Sequence, residues 1–355
     1  MNIDLQVMDK LRPARHVAGS RWVRGGEYSR GPSAAPISLS ASQGHLRMDI
    51  LGWMEGLQVT ERPVSTTPGT IRGASGIDVG KGAPVSVVVP CFRCADTIGS
   101  AVASVAAQVV LPAEVLLVDD ASDDGTLERL EDIARRYPDG WIKVLAMPRN
   151  GGPSGARNLG WEHATQAWIA FLDADDSWHP QKLRLQLEVL ADDPRIALLA
   201  HKMNVQARSD PPPALRYPLR VRVSPRHLVT LRSPFPTASI MLRRNLPFRF
   251  DESRRRAEDF LLWAQILLSG YRCAKINQVL ASWHKAPYGA GGLSGDLAAM
   301  YRAAVDTRKT LYAQGLIGQP QMYVAHAISL VRYARRRLLT FARHRPGAFG
   351  AKSRH

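Results

Sequence analysis

Cysteine, acid and long apolar runs are all scarce in this chain. Three cysteines in 355 residues are too few, and odd in number, for a disulfide framework, so a reducing compartment, the cytoplasm, is predicted. Nowhere do 18 or more apolar residues run uninterrupted. Asp4, Asp9, Lys10, Arg12 and Arg15 break up the first thirty positions, so neither a spanning helix nor a secretory leader is predicted. Asp and Glu number 31 against 47 Lys and Arg, leaving a formal charge of +16. That excess draws the chain to anionic partners without choosing among nucleic acid, lipid headgroup and phosphorylated substrate. No internal repeat of solenoid period occurs.

What is present is ample apolar material, 45% of residues, enough for a well-buried core. It is unevenly placed. Residues 1–80 show no sustained period of 3.6 or 2 and few aromatics, which predicts a disordered tail. Order begins at Val85-Ser86-Val87-Val88-Val89, a β-branched run suited to a strand buried on both faces and ended by Pro90. Ile98, Ala101, Val102 and Val105 then share a helix face, with Asp96 as candidate cap.

The cycle repeats. Val115–Val118 predicts a second strand, and Leu127, Leu130 and Ala134 a helix after the Asp123-Asp124-Gly125 turn. Ile142–Leu145 predicts a third strand, followed by a Gly/Pro loop and a short helix carrying Arg157 and Asn158. Trp168–Leu172 predicts a fourth strand, and Pro180 opens a helix with Leu183, Leu187 and Leu190 on one face. Alternation of this kind predicts an α/β fold with a mostly parallel central sheet flanked by helices.

The predicted organisation is a nucleotide-binding half over 83–200 and an irregular acceptor-side half of the same domain over 201–295. A basic helical extension over 296–355 follows. In it Val324, Ile328, Val331, Leu338 and Phe341 lie to one side and Arg332, Arg335, Arg336, Arg337 and Arg343 to the other.

Ligands bind beyond the carboxyl ends of parallel strands, and two acidic clusters fall there: Asp119-Asp120 after the second strand and Asp173-Ala174-Asp175-Asp176 after the fourth. Five carboxylates converging on one crevice would repel unless a cation or donor groups compensate, which suggests a divalent metal, and oxygen ligands favour Mg²⁺ or Mn²⁺. Asp119-Asp120 also fits a turn with helix-capping acids. Cys91-Phe92-Arg93-Cys94 has CxxC spacing but lacks the second pair a zinc site needs, so incidental thiols or a redox pair remain.

Four ordered segments together resemble a known family. They are Val85 to Phe92, Val118 to Thr126, Asn150 to Gly160, and Phe171 to Asp176, and they look like the signatures of family 2 inverting glycosyltransferases of GT-A fold. The resemblance covers about 83–290. It implies a nucleotide-sugar donor, a UDP-sugar, and a hydroxyl acceptor on a glycan or lipid-linked glycan. Pro90 and Phe92 would line the base pocket, Asp120 would accept from the uracil ring, and Asp119 would orient the loop. Arg157 would stand near the diphosphate. Asp173 and Asp175 would be the acidic pair of the DxD motif, Asp175 on the metal and Asp173 nearer the ribose, with Asp176 sharing either task. The same resemblance makes Asp259 the base for the acceptor hydroxyl, with Glu258 as alternative or acceptor-orienting group, and His284 a metal ligand or phosphate contact.

Two rival classes were weighed. A nucleotidyltransferase acting on sugar phosphates would need a glycine-rich loop after the first strand, and Pro90-Cys91-Phe92-Arg93 has no glycine. A basic nucleic-acid-binding protein would place phosphates against the acidic clusters, and no recognition motif occurs, so no nucleic-acid partner is expected. The basic C-terminal helix instead predicts peripheral contact with the anionic cytoplasmic face of the membrane.

Overall fold

The structure, a computed structural model, describes residues 61–64, 82–224, 235–284 and 296–343. Among the described residues ten strands form one sheet: β1 Glu61–Val64, β2 Ala83–Cys91, β3 Pro112–Asp119, β4 Ile142–Ala146, β5 Trp168–Phe171, β6 Asp176–Trp178, β7 Ile196–Val205, β8 Leu219–Val223, β9 Met241–Arg243 and β10 Arg272–Trp283. In the same residues seven α-helices accompany them: α1 Ile98–Ala106, α2 Thr126–Ala134, α3 Gly152–His163, α4 Lys182–Asp192, α5 Glu258–Leu268, α6 Leu297–Ala313 and α7 Gln319–Arg343. The strand order is β1-β8-β10-β7-β9-β5-β2-β3-β4, with β6 paired to β10. Neighbours β5-β2-β3-β4 and β7-β10 are parallel, whereas β9 enters antiparallel between β5 and β7.

Strand β2 lies inside the sheet between β5 and β3, and its alternating side chains explain both cores. Val85, Val87 and Val89 pack with Ile98, Val102, Leu130 and Leu183 on one face. Val88 packs with Ala156, Trp161, Phe171 and Trp263 on the other. Burial on both faces is why the sequence there reads as an unbroken β-branched run. The strand continues through Pro90 to Cys91, further than expected. Val88 O accepts from Leu172 N on the β5 side, while Cys91 O accepts from Asp120 N on the β3 side. Strand alternation therefore aims Pro90's missing N–H past the end of β5, where no ladder bond is lost.

Other differences are local. Asp96 does not cap α1; the cap position is Thr97, without a side-chain cap bond. The fully buried residues of α2 are Thr126, Leu130 and Ile133, with Ala134 partly buried against the same core. The α4 face buries Lys182, Leu185, Gln186 and Val189 along with the expected Leu183 and Leu190, and Leu187 packs on the same core partly buried. Within the predicted tail, Glu61–Val64 pairs antiparallel with β8; the rest of 1–81 lies outside the described residues. The 201–295 segment, expected to be irregular, supplies β8, β9 and the 12-residue β10 to the same sheet. Helix α6 packs on that body, burying Leu311 completely in the core that contains α5.

Candidate active site

The carboxyl ends of β2, β3 and β5 open onto a cavity of about 620 Å³ lined by Pro90, Phe92, Asp120, Arg157, Asp173 and Asp175. Its first wall is two loops clasped together. Arg93 N donates to Ser122 Oγ and Cys94 N to Thr126 Oγ1, and the Arg93 guanidinium takes both oxygens of exposed Asp123 at 2.7 Å. Phe92 stays 45% exposed at the mouth. Cys91 and Cys94 are buried free thiols on this wall. Burial and then the Cys94 contact push the Cys91 thiol up, away from the reactive thiolate.

The second wall is the start of α3. Gly152 has φ +76°, and a Cβ there would meet the Arg255 guanidinium at 2.4 Å, so the glycine permits both the turn and the arginine's approach. Asp120 Oδ1 accepts from Gly151 N at 2.6 Å, so this carboxylate closes the helix entry as the capping alternative describes, while also facing the cavity. Burial raises its pKa against those N–H contacts and the charge of Arg255.

Asp173 to Asp176 form a turn between β5 and β6, closed by Asp176 N to Asp173 O. The turn separates the acids. Asp173 and Asp175 face the cavity, whereas Asp176 enters β6 opposite Trp283 and is 1% exposed. Asp119 is also buried, and its Oδ2 accepts from Ser122 N. Asp120, Asp173 and Asp175 line the cavity, whereas Asp119 takes Ser122 N and Asp176 is buried in β6, so the expected convergence of all five on one crevice does not occur. Arginine stands beside the acids that do face the cavity. Arg157, buried, donates to Asp173 at 2.8 Å and to Glu258 at 3.1 Å, with Phe250 under its guanidinium at 5.3 Å. Burial opposes its charge, but Asp173 and Glu258 more than offset this and hold its pKa above the usual range.

Among the described residues no three His, Cys, Asp or Glu side chains approach closely enough to enclose a metal ion. The donor set still suits a hard cation. Mg²⁺ is commonly bound by one or two carboxylates together with substrate phosphates, and Asp173 and Asp175 are two carboxylates on the wall of one cavity. His284 has its Nδ1 against Gln206 O at 3.0 Å and its Nε2 against Ser177 Oγ at 2.8 Å, in the β6 strand that follows the acidic turn. The carbonyl contact assigns the proton to Nδ1 and leaves Nε2 accepting.

Across the Arg157 bridge lies the start of α5. Glu258 is engaged with Arg157, and Asp259 beside it accepts from Thr237 Oγ1 and Phe260 N. Burial, then the neighbouring Glu258 charge, raises Asp259 to about 6. Sequence reasoning missed Arg255, which lines the cavity and donates to Asn150 Oδ1. The signal was there as Arg254-Arg255-Arg256 just ahead of Glu258. Backbone strain marks the same places: the non-glycine residues with positive φ among the described residues are Arg93, Ala121 and Ala257, beside Phe92, Asp120 and Glu258 respectively.

Residues 86–253 match the family model described as glycosyl transferase family 2. The match takes in a little under half of the chain and is to a family of glycosyl transferases. Over 207 residues the chain is 33% identical to the succinoglycan biosynthesis protein ExoO of Rhizobium meliloti, covering 54% of this chain and 57% of that protein. Over 106 residues it is 34% identical to the UDP-Glc:alpha-D-GlcNAc-diphosphoundecaprenol beta-1,3-glucosyltransferase WfgD of Escherichia coli, covering 30% of this chain and 40% of that one. It thus spans about half the length of these relatives. Among solved structures, S. aureus TarS 1–349 in complex with UDP superposes with a TM-score of 0.51 at 23% identity, over 70% of this chain and 71% of that one. The mannosyltransferase PcManGT from Pyrobaculum calidifontis, in complex with GDP-Man and Mn²⁺, gives 0.52 at 19% identity over 76% and 78%. The fold is therefore of GT-A type, a mixed sheet of mostly parallel strands flanked by helices.

Proposed function

We propose that the chain transfers a sugar, with inversion, from a UDP-sugar to a hydroxyl of a glycan or lipid-linked acceptor. The observation that carries this reading is the cavity at the strand ends, where Asp120, Arg157, Asp173, Asp175 and Arg255 face the space a nucleoside diphosphate would fill. Phe92 and Pro90 supply the flat apolar wall for the base. Arg255 and Arg157 supply guanidinium donors suited to a diphosphate. Asp175 with Asp173 would hold Mg²⁺ or Mn²⁺ together with the diphosphate, and that ion would neutralise charge on the departing nucleotide. Asp259 takes the proton from the attacking hydroxyl; a carboxyl titrating near 6 is largely ionised at neutral pH yet basic enough to accept it. Glu258 fixes Arg157 and so positions Asp173 relative to that base.

Two similar proteins support the reading: TarS binds UDP and UDP-GlcNAc, and WfgD is named for a UDP-Glc donor and a diphosphoundecaprenol acceptor. Binding of a ligand to the native state raises its melting temperature. Melting should therefore rise with UDP-sugars and rise further with Mn²⁺. No rise with any nucleotide sugar in either condition would overturn the donor assignment.

The same reading places the chain at the cytoplasmic face of a membrane. No described helix is long and apolar enough to cross one. Helix α7, however, exposes Tyr323 (58%), Leu330 (54%) and Val331 (69%) at i, i+7 and i+8, with exposed Arg335 and Arg337 close by. Apolar residues beside guanidinium groups suit an anionic headgroup layer. Flotation should recover the protein with anionic vesicles, and Leu330→Glu with Val331→Glu should abolish that recovery. Equal recovery with neutral vesicles would refute membrane docking.

A further inference from the structure

A second cavity, of about 250 Å³, opens between α5, α6 and α7, and Asp259 forms part of its wall. Its lining is of two kinds. Leu297, Met300, Tyr301 and Tyr333 make an apolar side, the two tyrosine rings stacked at 5.1 Å between centroids. Arg308, Arg332 and Arg336 make a cationic side. Arg308 is 1% exposed, with its guanidinium 5.6 Å from the Phe260 ring. Burial, then the charge of Arg332, pushes its pKa down to about 10. Like charges gathered around a partly dry space disfavour one another, and an anion placed among them would reverse both effects. The position is equally specific: Arg157 joins Asp173 of the first cavity to Glu258, and the next residue, Asp259, lines the second.

We propose that this cavity binds a phosphate group carried on an apolar chain, the phosphate at Arg332 and Arg336 and the chain along Met300, Tyr301 and Tyr333. The assignment rests on the glycosyltransferase reading and sharpens it: the acceptor is a sugar held on a lipid phosphate, with its hydroxyl at Asp259. The cationic helix pair is then an acceptor site, separate from the donor cavity.

Calorimetric titration of the whole chain with geranyl phosphate, geraniol, inorganic phosphate and UDP tests this. Geranyl phosphate should bind, more tightly than either geraniol or inorganic phosphate, and saturating UDP should leave its affinity unchanged. Replacing both exposed arginines, Arg332→Gln with Arg336→Gln, should weaken geranyl phosphate by at least about tenfold, the loss of charge-assisted hydrogen bonds, and leave UDP affinity as in the parent, which also reports an intact fold. Unchanged geranyl phosphate affinity in that variant, displacement by UDP, or equal binding of geraniol or inorganic phosphate overturns the site. Geranyl phosphate binding without UDP binding would instead sink the donor assignment and leave this site standing.

Discussion

Asp259 and Glu258 are adjacent carboxylates with different surroundings, and that difference divides their work. Glu258 gives its charge to Arg157. Asp259 is left with a hydroxyl and its own helix N–H as partners, and burial beside Glu258 moves it to about 6. Transfer should therefore fall as pH drops through about 6, where the protonated carboxyl can no longer accept. Asp259→Asn should reduce turnover by about 10²–10⁴-fold with UDP binding intact. Retained turnover in that variant would remove Asp259 from the role of base. The Glu-Asp pair was visible in the sequence as an acidic helix start, but its division of labour was not. That depends on Arg157, which stands 101 positions away and reaches Glu258 only through the fold.

At the scale of elements, the site is set by how closely α3 lies on β2 and β3. Gly160 makes this possible: a Cβ there would meet Val88 Cγ1 at 2.4 Å and Val118 Cγ2 at 3.2 Å. Gly160→Ala must push the helix off the sheet and should cost about 1–3 kcal/mol. Denaturant unfolding would measure it, and an unchanged midpoint would show that the helix moves freely. The same shift would carry Arg157 away from Asp173, so donor binding should weaken with stability. The β-α-β order of this half was readable because each element has a clear period. The β9 insertion and the β6 pairing were not, since three-residue strands have no period to read; tertiary pairing alone makes them strands.

At the scale of the whole molecule, one buried polar group stands out because its nearest described partners carry no negative charge. Lys182 is fully buried on α4, with Nζ 2.8 Å from Gln186 Oε1 and 3.8 Å from the centre of the Trp178 ring. Burial drives its pKa well below the usual value. His201, fully buried, is likewise held low, by burial first and then by the charges of Lys182, Lys275 and His179. In both cases the unfolded chain takes a proton that the folded one refuses. Stability must then fall as pH falls below the unfolded lysine value and, for the histidine, below about 6.5. Each group contributes at most about 1.4 kcal/mol per pH unit. Lys182→Met should flatten the dependence of unfolding free energy on pH above neutrality. An unchanged slope would show that Lys182 keeps its proton when folded.

The sequence by itself determined the α/β class, the central buried strand, the acidic turn after β5 and the Glu-Asp start of α5, because each is written in a local period or a run of one residue type. Only the tertiary structure decided which acids face the cavity. Asp173 and Asp175 do, while Asp119 and Asp176 turn inward to satisfy backbone N–H groups or to enter a strand ladder. It also brought Arg157 and Arg255 from distant stretches to the cavity, guanidinium donors of the kind that sequence alone could only allow beside a cation. Local preference fixes elements, but the direction of a side chain at a turn depends on which strand the chain joins next.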